Sequence, residues 1–240
     1  MVSGDGSRKR AEIHHEHRDV NGGWLRPSVF GVMDGLVSNF ALIAGVAGGS
    51  DDTGVVILAG IAGLAAGAFS MAGGEYVSVA SQRELALAEI DVERRELQRH
   101  PEAEEEELAQ MYEAQGVDPE LAAQVARQVS RDPGRALVVH TRAELGVVPD
   151  DLPSPWVAAV SSFLSFAVGA LLPLLPYLLG VTSLVASAVV SCLALFGAGV
   201  LVSRVTARSW WYSGLRQFAV GSVAAVLTFG LGNLLGGMAL

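Results

Sequence analysis

Five apolar runs, each long enough to cross a bilayer, constrain this chain more than any other feature of its sequence. They fall at roughly residues 28–49, 55–78, 155–179, 181–203 and 211–238. A hydrocarbon core of about 30 Å needs about 20 such residues per helix. Lipid offers no partners to a polar backbone, so each run is predicted to be a helix that satisfies itself. The first run contains VMDGLVSNFALIAGVAGG, residues 32–49, with Asp34 and Asn39 in its first half. A carboxylate at that depth costs roughly 3 kcal/mol or more, so it is expected to line a protein interior or an aqueous cavity.

Composition supports the same class: 51% of the 240 residues are hydrophobic, 28 are glycine and the mean hydropathy is +0.41. The net charge of −9 sits in one place. Residues 80–151 hold 17 Asp and Glu against eight Arg, whereas the remaining residues balance eight acids with eight bases. An acidic, soluble insert between the second and third spans is the natural reading, and its charge argues against nucleic acid as a partner. A single cysteine, Cys192, leaves no disulfide framework or thiolate cluster within one chain. The first 27 residues are polar, with HHEHRD at 14–19 where a signal peptide would be apolar. They read as a cytosolic tail, and the HHEH at His14–His17 as part of that tail rather than a metal site. Fifteen Arg against one Lys, with abundant Ala and Gly, suggest a bacterial gene.

Basic residues set the expected orientation. Arg8, Lys9, Arg10, Arg18 and Arg26 precede span one, and the insert holds eight Arg. Arg204 and Arg208 lie between spans four and five, while the links at residues 49–54 and near Gly180 have no base. The N-terminus and insert are therefore expected in the cytoplasm and the C-terminus outside, with Arg216 snorkelling or paired. The chain divides into a tail (1–27), spans one and two (28–80), an acidic helical domain (81–152) and spans three to five (153–240). The expected fold is an all-α membrane protein with a cytosolic helical metal-binding domain between helices two and three.

The insert reads as helices. SVASQRELALAEIDVERRELQR continues from span two without a breaker until His100-Pro101. PEAEEEELAQMYEAQG, DPELAAQVARQVSR and PGRALVVHTRAELG follow, each with proline near its start. Glu93 and Glu96 share one helix face, as do Glu104 and Glu107 beyond the break. In an antiparallel hairpin the two pairs converge, and His140 with Glu144 adds an imidazole and a carboxylate. Such a donor set suits divalent first-row metals. Within the spans, Met71 and Glu75 stand four apart in SMAGGEYVSVASQ. With Asp34 and Asn39 they form a candidate pathway, in which sulfur biases the site toward softer ions than magnesium and carboxylates can exchange metal for protons.

DGLVSNFALIAGVAGG, SMAGGEYVSVASQREL and SGLRQFAVGSVAAVLTFGLG closely resemble the vacuolar iron transporter family in its bacterial branch, from about Gly22 to the C-terminus. The resemblance implies five transmembrane helices, a homodimer, and export of Fe²⁺ from the cytoplasm coupled to inward proton movement. It places Asp34 and Met71 on the translocation route, Glu75 in the family's glutamate motif, and Glu93, Glu96, Glu104, Glu107 and Glu144 in the metal-binding domain. Plant members carry a Met pair where this chain has His140-Thr141. Fe²⁺ is then substrate, with Mn²⁺, Zn²⁺ and Co²⁺ as competing ions, and no prosthetic group is expected. Two rival readings are a transporter that prefers Mn²⁺ and a membrane-anchored metal buffer or sensor. An enzyme is not expected, since the sequence offers no nucleophile–base set, nucleotide loop or paired Glu-x-x-His motif.

Overall fold

A computed structural model describes residues 23–206 and 208–238, and the His14–His17 cluster lies outside them. The described residues form eight helices and no strand. These are α1 (Leu25–Gly49), α2 (Thr53–Arg99), α3 (Pro101–Ala114), α4 (Pro119–Ser130), α5 (Pro133–Glu144), α6 (Pro155–Leu178), α7 (Leu184–Thr206) and α8 (Trp210–Met238). Five of them, α1, α2, α6, α7 and α8, are long and apolar enough to cross a membrane. Short links after α1, α6 and α7 turn the chain back on itself, the second using Gly180 at φ +83°. Proline marks most helix starts in the α3–α5 segment. Asp118 caps α4 by accepting from the Glu120 amide at 3.0 Å, and Asp132 caps α5 by accepting from Gly134 at 3.0 Å and Arg135 at 3.2 Å.

At the centre of the bundle is α1, against α6, α8, α2 and α7. Its contact with α6 runs parallel and is made through glycine. A Cβ on Gly35 would stand 2.3 Å from the Phe166 carbonyl oxygen, and one on Gly169 would stand 2.3 Å from that of Val32. Only a missing side chain allows backbones this close. Gly67 on α2 likewise makes room for the Phe166 ring, whose Cζ would lie 2.1 Å from an added Cβ. Between α6 and α7, the buried Ser187 hydroxyl donates to the Pro173 carbonyl at 2.6 Å. The outward faces of α2 and α8 are apolar and exposed, as at Leu58, Ile61, Phe69, Val220, Val226 and Leu227, as a lipid-facing surface requires.

Unbroken for 47 residues, α2 is about 70 Å long. Its first half packs against α1 and α6, while its second half is polar and carries the α3–α5 segment. Two contacts hold α2 to the start of α6. Tyr76 and Trp156 meet with ring centroids 4.9 Å apart, and the Arg83 guanidinium donates to the Leu152 carbonyl at 3.2 Å. With the helices alternating in direction, exposed Trp24, Trp156, Trp210 and Trp211 all fall at the end of the bundle that bears α3–α5. Arg26, Arg83, Arg204 and Arg208 lie at that end too. Gly169→Ala is expected to lower the unfolding free energy by about 1–3 kcal/mol. Thermal melting in detergent would read this, and an unchanged midpoint would show that α1 and α6 are not held at this spacing.

Candidate metal centre and membrane cavity

Where the polar half of α2 meets α3 and α5, one imidazole is surrounded by carboxylates. His140 is fully buried, with Nδ1 3.0 Å from Glu144 Oε1, 3.1 Å from Glu93 Oε1 and 3.6 Å from Glu104 Oε2. Glu93 and Glu104 are themselves only 11% exposed. Ligand atoms from Glu93, Glu104 and His140 lie within 4.8 Å of one another. Donors sharing one ion at about 2.1 Å stand about 3.0–3.4 Å apart, so the observed separations need little change to admit a cation. Leu108, Ala109 and Ala126, with Tyr112 and Val139, form the apolar core of the α3–α5 segment. His140 Nε2 and Glu93 Oε1 are buried without a hydrogen-bond partner. The 3.1 Å approach between Glu93 and His140 therefore lacks the angle of a true hydrogen bond. Such a corner is under-satisfied and suited to an added ion.

Helix geometry explains which glutamates enter. Residues three apart differ by about 60° around a helix, so Glu93 turns to His140 while Glu96 points outward, 3.8 Å from the exposed His100 Nε2. Glu104 is buried and Glu107 exposed for the same reason. The two outer glutamates still act through their charge. Burial, then the charges of Glu144, Glu104 and Glu107, push Glu93 up to about 7, with His140 opposing. Glu104 is raised by burial and by Glu107, Glu144 and Glu96, again against His140.

The sign of that shift has a consequence for stability. Between about pH 4.5 and 7, folded Glu93 holds a proton that the unfolded chain has released, so stability falls as pH rises through this window. Below it the group is neutral in both states. Above it the folded protein bears the full cost of a buried charge. The metal-free melting temperature is expected to fall across this window, and Glu93→Gln is expected to flatten the fall. A slope unaltered by Glu93→Gln would refute the assignment.

A second constellation lies inside the membrane-length helices. A cavity of about 310 Å³ is lined by Asp34, Ser38, Asn39 and Leu42 of α1, Gly63, Gly67, Ser70 and Met71 of α2, and Phe166 of α6. Asp34, Asn39 and Met71 thus share one space. Glu75, one turn beyond Met71, is half-buried and does not line it. Asn39 is 2% exposed, and its Nδ2 donates to the Ala170 carbonyl at 2.6 Å. Sequence reasoning missed Ser38 and Ser70. The signal was available for both, since Ser38 follows Asp34 by four residues and Ser70 adjoins Met71.

Comparison with known proteins places the chain in a family. The sequence profile of the VIT family matches residues 25–233. The vacuolar iron transporter of Acanthamoeba castellanii is 42% identical over 163 residues, covering 67% of this chain and 58% of that protein. Vacuolar iron transporter 1 of Arabidopsis thaliana is 31% identical over 225 residues, covering 92% of this chain and 90% of the relative. Vacuolar iron transporter 1 of Oryza sativa subsp. japonica is 31% identical over 224 residues, covering 91% and 89%. The chain therefore spans a little over half of the amoebal protein and about nine tenths of the two plant proteins. With five apolar helices and this kinship, the chain is an integral membrane protein and belongs to the VIT family.

Proposed function

We propose that this protein is a divalent transition-metal transporter that exports Fe²⁺ from the cytoplasm in exchange for protons. The observation that carries the reading is the membrane cavity lined by Asp34, Asn39 and Met71. A carboxylate at that depth is costly unless a cation uses it, Met71 adds a soft donor beside it, and relatives across the length of the chain are named iron transporters. The second half of α2 with α3–α5 forms a cytosolic capture domain, in which Glu93, Glu104, Glu144 and His140 take up the ion. Glu96 and Glu107 strengthen the local negative field. Glu75 guides the ion between the two places.

Proton coupling follows from the donor types. Carboxylates must be deprotonated to bind metal, and Glu93, raised to about 7, gains and loses its proton near cytosolic pH. An ion that enters therefore displaces protons, and protons that enter from the far side displace the ion. The basic residues gathered at the α3–α5 end support a cytosolic location for that end, with the C-terminus outside. The membrane is a bacterial cytoplasmic membrane in this reading. A second copy pairs through the exposed face of α2, where a Cβ added at Gly73 or Gly74 would meet nothing within 4 Å.

The oxygen-rich donor sets also suit Mn²⁺, and His140 admits Zn²⁺ and Co²⁺ as competitors. The test is flux into proteoliposomes carrying an internal pH dye. Wild-type protein is expected to move Fe²⁺ with opposing proton movement, and Asp34→Ala to cut the rate by at least about tenfold. Replacing Glu93, Glu104 and His140 together by alanine is expected to raise the concentration needed for half-maximal flux while sparing the maximal rate. Metal bound tightly without any flux would leave a buffer or sensor and sink the transport reading.

A further inference from the structure

We infer that the side-chain oxygen of Asn39 is a second, neutral cation ligand, deeper in the membrane than Asp34 and Met71, to which the ion passes before release. This rests on the transport reading for the passage of the ion, but not for its binding. The Ala170 carbonyl can only accept, so its 2.6 Å contact fixes the Asn39 amide with Nδ2 toward α6. Oδ1 is thereby turned away from α6. It is buried and has no hydrogen-bond partner. A buried amide oxygen left without a donor is costly, and a residue needed only to bridge α1 and α6 would not have to bear that cost.

What Oδ1 faces is informative. A Cβ on Gly63 of α2 would stand 2.8 Å from it, so the oxygen lies against this glycine at the α1–α2 seam, where only a missing side chain lets it fit. Asn39 lines the same cavity as Asp34 and Met71. It follows Asp34 by five residues, about 7.5 Å further along α1 and away from the end that bears α3–α5. An ion arriving from that end meets the carboxylate first and the amide second. A hard, uncharged oxygen suits a partly dehydrated Mn²⁺ or Fe²⁺. It also holds the ion less tightly than a carboxylate, and a conducting site must let its ion leave. Ser38 and Ser70 hydroxyls in the cavity wall supply further oxygen between the two stations.

The test separates this ligand from a helix bridge. Full-length protein carrying Glu93→Ala, Glu104→Ala, His140→Ala and Glu144→Ala lacks the four clustered donors of the acidic segment, so the Mn²⁺ signal in electron paramagnetic resonance that Asp34→Ala removes reports the membrane cavity. Adding Asn39→Ala is expected to weaken Mn²⁺ binding by about tenfold. Asn39→Asp loses the amide donor but keeps an oxygen, and is expected to bind at least as tightly as Asn39. Equal losses in both variants, no loss in Asn39→Ala, or no cavity Mn²⁺ at all would overturn the assignment. Flux into proteoliposomes distinguishes the two readings. Asn39-dependent binding without wild-type flux would keep the ligand and remove the transporter. Wild-type flux in Asn39→Ala, with none in Asp34→Ala, would do the reverse.

Discussion

The rest of the bundle depends on how closely α1 and α6 approach. Gly35 and Gly169 bring the two backbones to a separation that no side chain would permit. Asn39 can then reach the Ala170 carbonyl at 2.6 Å. With α1 drawn to α6, the polar side chains of α1 that do not face α6 look toward α2. The glycines of α2, Gly63 and Gly67, admit the Asn39 amide, Leu42 and the Phe166 ring there, and both line the cavity with Asp34 and Met71. Tight packing on one side of α1 and a cavity on the other are two results of the same placement of glycine.

The polar end of the molecule solves a different problem with similar means. Burial, and then the repulsion between carboxylates crowded into one corner, push Glu93 up to about 7, and His140 supplies the only nitrogen among the clustered donors of that corner. Its Nδ1 stands where the three carboxylates converge. An imidazole in that place is a weaker partner for the carboxylates than a cation would be. The burial of His140, Glu93 and Glu104 makes the imidazole, or an ion beside it, matter more than at an exposed acidic surface.

Much of this architecture was legible in the sequence, for reasons that differ by element. Apolar length alone located five spans, because lipid leaves a chain few choices. Boundaries were read well where proline or glycine interrupts, as at His100-Pro101 and Gly180. Spacing placed Glu93 with Glu96 and Glu104 with Glu107, but could not say which of each pair turns inward. That depends on the rotation of α2 and α3 against α5, a tertiary matter. Glu75 reads as a cavity residue by its spacing from Met71, yet it does not line the cavity. The partner of Asn39 lies 131 residues away, beyond the reach of any local pattern. Ser38 and Ser70 were overlooked because a serine in a membrane helix commonly bonds its own backbone, as Ser38 does to the Asp34 carbonyl at 2.5 Å.

The unbroken α2 makes the molecule a lever. Met71 and Glu93 belong to one rigid rod, about 33 Å apart along its axis. A tilt of about 5° around Met71 would sweep Glu93 sideways by about 3 Å at that radius. The α3–α5 segment packs chiefly on α2 and travels with it, so a small displacement in the membrane becomes a larger one of the whole acidic end. The two ends of α2 are geared together, and neither can be adjusted without turning the other.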